Sequence, residues 1–116
     1  MSEVAELVYQ MLEHVFNERD AERRADAVAS VFAEDVMFVD PEGVVRGHDA
    51  LARRVESILA DAPGFVFRLA APIQEIAEVG LDRWGFGPVD GDPVVRGTDV
   101  AIVDGGRIAR LYTLIE

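Results

Sequence analysis

Two lone aspartates are the residues of this chain best suited to chemistry. The segments that hold them read Phe38-Val39-Asp40-Pro41 and Gly97-Thr98-Asp99-Val100-Ala101. An ionised carboxylate taken out of water is strongly destabilised unless it is paired, hydrogen-bonded or neutralised. Burial also raises the pKa of a carboxyl in general, so such a group can take a proton from carbon or, when neutral, donate a hydrogen bond to oxygen. We therefore interpret Asp40 and Asp99 as candidate catalytic residues of a pocket.

Each aspartate also has a structural interpretation. Asp40 precedes a Pro-Glu-Gly turn, where an aspartate commonly hydrogen-bonds its own backbone. Asp99 could be an acid bonded to backbone amides or to an arginine. Both alternatives stay open at the level of sequence.

Three helices are predicted in the first half of the chain. Apolar residues between positions 4 and 16 recur at the spacing of one helical face. Asp20 is placed to cap a second helix over residues 21–33. The predicted buried stripe of that helix is Ala25, Val28, Val31 and Phe32. A third helix is predicted over residues 47–60.

A hairpin and a run of strands are predicted around the third helix and after it. Two short strands, Val36–Asp40 and Val44–Arg46, flank a turn rich in Pro and Gly. Alternating apolar residues begin another strand at Phe65, and three long antiparallel strands close the chain. These three cover residues 80–87, 93–103 and 107–115. Helices first and meandering strands last predict an α+β fold, in which a curved sheet wraps the first helix.

Length and charge narrow the class of protein. The 116 residues suit one domain with one core. Eleven basic against twenty-two acidic residues give a formal charge of -11, which repels phosphate backbones and anionic lipids, so we expect no nucleic-acid or membrane partner. The chain shows neither a membrane-spanning apolar run nor a basic signal peptide, and we expect a cytoplasmic location. The lack of cysteine excludes disulfides and thiolate chemistry.

Four short motifs add to this pattern of elements. They are Phe32-Ala33-Glu34-Asp35-Val36, Asp40-Pro41, Arg46-Gly47-His48-Asp49-Ala50 and Asp104-Gly105-Gly106-Arg107-Ile108. With the order of elements, they resemble the nuclear transport factor 2-like superfamily, in particular its SnoaL-like polyketide cyclase and ketosteroid isomerase branches. The resemblance implies a single SnoaL-like domain over residues 1–116. It also implies a cone-shaped, cystatin-like α+β fold, with three N-terminal helices packed on a strongly curved, mostly antiparallel sheet. Because this superfamily includes isomerases, cyclases, epoxide hydrolases, dehydratases and binding domains, the reaction stays open.

The resemblance also implies roles for particular residues. Asp40 matches the aspartate that shuttles a proton as the base of ketosteroid isomerases. Asp99 lies on the strand where those enzymes place a protonated aspartic acid that donates to the substrate oxyanion. A tyrosine of the first helix completes the isomerase site, and the matching position here holds Phe16.

Strand alternation predicts what surrounds the two aspartates. With Asp99 facing inward, Gly97 and Ala101 face inward too, and their small size favours a cavity. The aromatic residues predicted to line the pocket are Phe16, Phe65, Phe67, Trp84 and Phe86.

Two further residues are included in the predicted pocket. Tyr9 lies seven residues before Phe16 on the same side of the helix, and its hydroxyl is predicted to reach the mouth of the cavity as a replacement donor. Asp82 shares the strand face of Trp84 and Phe86, although at the end of its strand we expect it to be exposed to solvent.

The expected function is cofactor-independent proton transfer on a small hydrophobic carbonyl compound, as in isomerisation or aldol-type cyclisation. Asp40 is the predicted base, and Asp99 the acid or orienting group. No metal is expected, because the two histidines are not at the spacing of metal ligands.

One alternative function is a non-catalytic module that binds a hydrophobic ligand or a protein partner. The second is an epoxide hydrolase-like enzyme, which needs an arginine in the pocket, whereas alternation sends Arg83 and Arg96 to the outer face.

The outer face of the predicted sheet mixes apolar residues with arginine and tyrosine. Its members are Val66, Arg68, Arg83, Val100, Ile102, Arg110 and Tyr112. This composition is typical of interfaces, so we predict a homodimer formed through this face, as the resemblance also implies.

Overall fold

The computed structural model describes residues 2–116, which form an α+β fold of three helices and one seven-stranded sheet. The helices are α1 (Glu3–Gln10, continued by a π-helical segment, Met11–Phe16), α2 (Ala21–Val31) and α3 (His48–Ala60). The strands are β1 (Phe32–Asp40), β2 (Gly43–Arg46), β3 (Phe65–Leu69), β4 (Gln74–Ile76), β5 (Val79–Pro88), β6 (Val95–Asp104) and β7 (Arg107–Ile115). The predicted fold class is confirmed. None of the described helices is both long and apolar enough to cross a membrane.

The first helix changes its geometry halfway along. Ser2 caps the N-terminus by accepting a hydrogen bond from the Ala5 N–H at 3.2 Å. From Met11 onward the helix is π-helical, and the Asn17 N–H donates five residues back, to the Leu12 carbonyl, at 3.1 Å. The spacing of apolar residues correctly predicted a helix here, but it did not distinguish the wider turn.

The second helix ends earlier than predicted. It stops before Phe32, which instead begins β1 and pairs with Ile108 of β7, because the gain from sheet pairing overrides local helix preference. Asp20 caps the helix as predicted. The prediction that Ala25 is buried is wrong, since Ala25 is exposed and Arg24 is buried in its place. Arg24 Nη1 donates to a backbone carbonyl at 2.7 Å, which compensates part of this burial.

The sheet runs in the order β2-β1-β7-β6-β5-β3, and β4 adds to the start of β5. Neighbouring strands are antiparallel except β1 and β7, which are parallel. The predicted hairpin of β1 and β2 and the three long strands β5 to β7 are confirmed. The short β4 was not predicted, because its three residues are all exposed and show no apolar alternation.

A tight turn sets the register of the last two strands. Asp104 pairs with Arg107, which leaves a two-residue loop of Gly105 and Gly106 with φ of +59° and +79°. Glycine adopts this left-handed backbone freely, and turns of this kind match the twist of paired strands. The turn therefore helps to fix which residues of β6 and β7 lie side by side.

The two faces of the sheet differ in what covers them. On the inner face, Leu111 is buried, and a Cβ added to Gly80 would lie 2.7 Å from Val8 Cγ2, so α1 rests directly on β5. On the outer face, Val100 and Tyr112 are only half-buried. The core, and the site described next, therefore lie on the inner side.

Candidate active site

A pocket of about 420 Å³ opens on the inner face of the sheet. Its apolar lining residues are Leu12, Phe16, Phe38, Pro41, Ile58, Phe67, Trp84, Phe86, Val95 and Ile115. Its polar lining residues are Asp40, Glu42, Asp99 and Thr113. A concave, mostly apolar pocket with a few polar groups is the usual form of a small-molecule site. Within residues 2–116, no three His, Cys, Asp or Glu side chains are grouped so as to hold a metal ion.

Three of the polar residues lie at one level of three neighbouring strands. Asp99 of β6 is directly opposite Thr113 of β7. Asp40 of β1 comes one residue after the parallel pair of Val39 and Tyr112, and so lies level with Thr113. Since adjacent strands are about 4.8 Å apart, the backbones of Asp40 and Asp99 are separated by roughly 10 Å. A small molecule in the pocket can reach both carboxyls.

Asp40 is held by an ion pair and by its own turn. Arg54 Nη1 of α3 donates to Asp40 Oδ1 at 2.5 Å, and the Glu42 N–H donates to the same oxygen at 2.9 Å. The second contact is the turn bond expected from the structural interpretation of this aspartate. The side chains of Asp40 and Arg54 are only 7% and 16% exposed. Because both bonds end on Oδ1, no hydrogen bond from the described residues competes for Oδ2.

Asp99 is held without a cation among the described residues. It is 4% exposed, and its Oδ1 accepts a hydrogen bond from the Thr113 hydroxyl at 2.6 Å. Burial raises the pKa of Asp99 above its ordinary value, while hydrogen bonds with Asp82, Thr113 and Trp84 act in the opposite direction. The two pocket carboxyls therefore lie in different electrostatic environments.

Asp82 lies behind Asp99, outside the pocket lining. The two are direct partners across β5 and β6, and Asp82 is fully buried. The prediction that Asp82 is exposed at a strand end is wrong, because α1 covers this part of β5. Burial, then repulsion from the Asp99 carboxyl and a hydrogen bond with it, raise the pKa of Asp82 to about 9. Asp82 is therefore protonated at neutral pH.

An aromatic wall forms one side of the pocket. The rings of Phe67 and Phe86 stack with centroids 4.0 Å apart, and Trp84 and Phe16 meet Phe67 edge-on at 5.0 and 5.7 Å. Asn17 holds this wall in place, because its side-chain amide donates to the Phe67 carbonyl at 2.8 Å and accepts from the Phe67 N–H at 2.7 Å. The wall offers a flat apolar surface to a ligand.

The cavity does not arise where the small residues predicted it. Gly97 faces inward, but a Cβ there would lie 2.7 Å from Trp84 Cε2, so the missing side chain makes room for the indole ring. Ala101 is buried in the core and does not line the pocket. The open space lies instead between the aromatic wall and the level of Asp99.

Tyr9 and Phe65 lie outside the pocket lining. Tyr9 is 38% exposed on α1. Phe65 packs edge-on against Phe86, with ring centroids 5.3 Å apart, and so supports the wall from behind. Phe16 does line the pocket, and it brings a phenyl ring there without a hydroxyl group.

Sequence reasoning missed Arg54, Thr113 and Asn17. A signal existed for Arg54, which lies three residues after Leu51 and therefore near the inward face of α3. Thr113 follows from alternation with the buried Leu111. Asn17 gave no signal, because its partner is fifty residues further along the chain.

The chain matches a known protein family. The sequence pattern that defines the SnoaL-like domain matches residues 8–111. The chain belongs to the SnoaL-like domain family. Among curated proteins, none matches the chain.

Solved structures agree with this membership of the SnoaL-like family. A proposed isomerase of the SnoaL-like family from Agrobacterium tumefaciens strain C58 is 29% identical, with a TM-score of 0.92 over 100% of this chain and 99% of that one. A proposed polyketide cyclase from Sinorhizobium meliloti is 21% identical, with a TM-score of 0.75 over 94% of each chain. A protein of unknown function with a cystatin-like fold from Methylobium petroleophilum PM1 is 16% identical, with a TM-score of 0.76 over 97% of this chain and 75% of that one. The last two show the fold alone, and with it the predicted cystatin-like architecture.

Proposed function

We propose that this SnoaL-like protein catalyses proton transfer at the carbon next to a carbonyl group, without a cofactor. The substrate is a small, hydrophobic, uncharged compound, and the reaction is an isomerisation or an aldol-type cyclisation. Asp40 acts as the general base, and Asp99 hydrogen-bonds the carbonyl oxygen. The observation that carries the proposal is the presence, in one apolar pocket, of an ion-paired carboxylate and of a second carboxyl whose pKa is raised by burial.

The two carboxyls divide the chemistry between them. Asp40 Oδ2, which is free of competing hydrogen bonds from described residues, takes the proton from the carbon. Negative charge then develops on the carbonyl oxygen, where a neutral carboxyl of Asp99 donates a hydrogen bond. In an isomerisation, Asp40 returns the proton to another carbon. In a cyclisation, the enolate carbon attacks the carbon of a second carbonyl group, whose π bond breaks as the carbon–carbon bond forms. The resulting alkoxide takes the proton from Asp40, and the first carbonyl group is restored.

Charge around the pocket favours a neutral substrate. Three carboxyls, those of Asp40, Glu42 and Asp99, line it, and no lysine or arginine is among the described lining residues. The charge of Asp40 is compensated from behind by Arg54. A ligand that carries a carboxylate or phosphate would be repelled.

The sequence is compatible with two other functions. A non-catalytic binding module is the second candidate, because the stacked wall of Phe67 and Phe86 is by itself a surface for a flat hydrophobic ligand. An epoxide hydrolase-like site is less well supported. Arg83 and Arg96 are exposed, as alternation predicted, and Arg54 is committed to Asp40.

Hydrogen–deuterium exchange tests the proposal without knowledge of the natural substrate. We expect the protein to accelerate α-deuteration of 2-tetralone, a neutral bicyclic ketone, in D₂O, as followed by proton NMR. Asp40→Asn should lower the rate by about 10²–10⁴-fold, because the amide cannot accept the proton. Its affinity for 2-tetralone, measured by calorimetry, should stay the same.

The matched control is Glu22→Gln, which removes an exposed carboxylate of α2 outside the pocket lining. It should keep the exchange rate within a few-fold of the wild type. Binding of 2-tetralone and related ketones with no exchange above the buffer rate would reject catalysis and favour the binding module.

A further inference from the structure

Asp82 is the buried acid that the proposed reaction does not use. It is fully buried, and neither of its carboxyl oxygens receives a hydrogen bond from any N–H or hydroxyl group of the described residues. Its direct cross-strand partner is Asp99, so the side chains of both acids lie on the same face of the sheet. A buried polar group with no conventional donor is rare in native proteins and calls for an explanation.

The described residues around Asp82 include no cation that could balance a negative charge. Val4 and Val8 of α1 cover the neighbouring Gly80, and both are apolar. On β4, Glu75 opposes Gly80, but its carboxylate is exposed and accepts a hydrogen bond from the Ser2 hydroxyl. On β7, the facing side chain is the neutral Thr113, which donates to Asp99. Asp99 is thus the one titratable group shown to act on Asp82.

Two ionised carboxyls side by side at this buried position would repel each other strongly, because little solvent is present to screen their charges. A single proton removes this conflict, because a protonated carboxyl can donate a hydrogen bond to its ionised neighbour. The Thr113 hydroxyl already occupies Asp99 Oδ1. A carboxylate has about four acceptor positions, so beside its bonds with Thr113 and Trp84 the Asp99 carboxyl can still bond Asp82 and a ligand in the pocket.

We propose that Asp82 and Asp99 act as one acid, sharing a proton across β5 and β6, and that Asp82 is a positioning residue which keeps this proton available to Asp99. Only Asp99 lines the pocket, so a ligand meets the pair through Asp99 alone. When charge develops on a carbonyl oxygen, the shared proton moves toward Asp99, which donates the hydrogen bond. No proton is gained or lost by the pair in this step. The inference rests on the proposed function, to which it adds the source of the proton.

A purely structural role does not account for this pair. Apolar side chains of similar volume would fill the position of Asp82 with less loss of stability, since buried charged or proton-sharing groups contribute little to folding. Stability given up at a buried site is often connected with function.

Carbon-13 NMR titration of the side-chain carboxyls tests the pair in the intact protein, with no substrate. In the wild type we expect one titration step near pH 9, sensed at both Asp82 and Asp99. Asp82→Asn and Asp99→Asn should each leave one titration, of the remaining carboxyl, at a lower pH than this step, because the repulsion between the two carboxyls is removed while burial remains. Asp40→Asn, which removes the other catalytic carboxyl, should leave the step near pH 9 unchanged.

A second variant keeps the test valid if Asp82→Asn fails to fold. Thr113→Val removes a donor to Asp99 and does not touch Asp82, so in a pair that shares one proton the titration sensed at Asp99 and the one sensed at Asp82 should both move to higher pH. If Asp82 has only a structural role, the Asp99 signal alone should move. Titration of both carboxyls below neutral pH in the wild type, or an Asp99 titration that is unchanged in Asp82→Asn, would overturn the proposal.

The pair and the proposed reaction can fail separately. The inference is supported if the pair titrates as expected and if, in Asp82→Asn, the rate of 2-tetralone exchange falls at a lower pH on the alkaline side than it does in the wild type. If exchange depends on Asp40 but its pH profile is unchanged in Asp82→Asn, the role of Asp82 is rejected while the proposed function stands. If the pair titrates as expected and no ketone exchanges, the proposed function fails and the proton-sharing pair stands without its catalytic role.

Discussion

At the scale of single residues, a row of polar side chains crosses four adjacent strands. Asp40 on β1, Thr113 on β7, Asp99 on β6 and Asp82 on β5 lie at one level of the sheet. The three carboxyls of this row are stabilised differently: Asp40 by a guanidinium, Asp99 by a hydroxyl, and Asp82 by keeping its proton. The two carboxyls that line the pocket, Asp40 and Asp99, therefore lie in different electrostatic environments.

The raised pKa of Asp82 predicts that the stability of the fold depends on pH. Its pKa is about 9 in the folded chain against an ordinary value of 3.8, so the folded chain binds more protons than the unfolded chain between these values. The stabilising contribution is full below the unfolded pKa and is lost as the pH rises through the folded one, by at most about 1.4 kcal/mol per pH unit. We expect Asp82→Asn to gain stability over the wild type as the pH increases.

Urea denaturation at several pH values between about 5 and 8 measures this gain. Asp90→Asn, in an exposed loop, controls for the loss of one acidic residue. A difference in unfolding free energy between Asp82→Asn and the wild type that stays constant with pH would contradict the prediction.

At the scale of elements, the end of the first helix is joined to the aromatic wall. The π-helical segment brings Leu12 and Phe16 to the pocket, and Asn17 then pairs with both backbone groups of Phe67 on β3. π-helical turns are often found at functional sites. Here the segment and its closing asparagine position one side of the pocket.

We expect Asn17→Ala to lower the free energy of unfolding by about 1–3 kcal/mol, because the N–H and carbonyl of Phe67 lose their partner. Urea denaturation measures the loss. Gln10→Ala is the matched control, since it removes an amide of the same helix that bonds only the Glu6 side chain. Equal losses in the two variants would show that the contact with Phe67 does not stabilise the fold.

At the scale of the whole molecule, the two faces of the sheet differ in burial and in charge. The inner face carries the pocket and α1, while the outer face leaves Val100, Ile102 and Tyr112 half-buried. Four arginines lie exposed along the same face: Arg68, Arg83, Arg96 and Arg110. These arginines offset locally the formal charge of -11, which otherwise opposes association of two copies. The homodimer predicted from the sequence stays a prediction.

We expect the protein to sediment as a dimer and Val100→Glu to sediment as a monomer, because the new carboxylate would be buried at the centre of the outer face. Sedimentation velocity makes the measurement. Val89→Glu, at an exposed apolar residue of the loop between β5 and β6, should remain dimeric. A monomeric wild type, or a dimeric Val100→Glu, would show that this face is not the interface.

By itself, the sequence determined the α+β class, the order of the helices and long strands, and the choice of Asp40 and Asp99 as residues of one pocket. These follow from local properties: the period of apolar residues, caps such as Asp20, turns such as Asp104-Gly105, and acids placed within apolar strands. Only the tertiary structure decided that Phe32 joins the sheet, that Arg54 pairs with Asp40, and that Asp82 is sealed behind Asp99. Each of these depends on register and packing between segments far apart in the chain, and a local pattern carries no information about either.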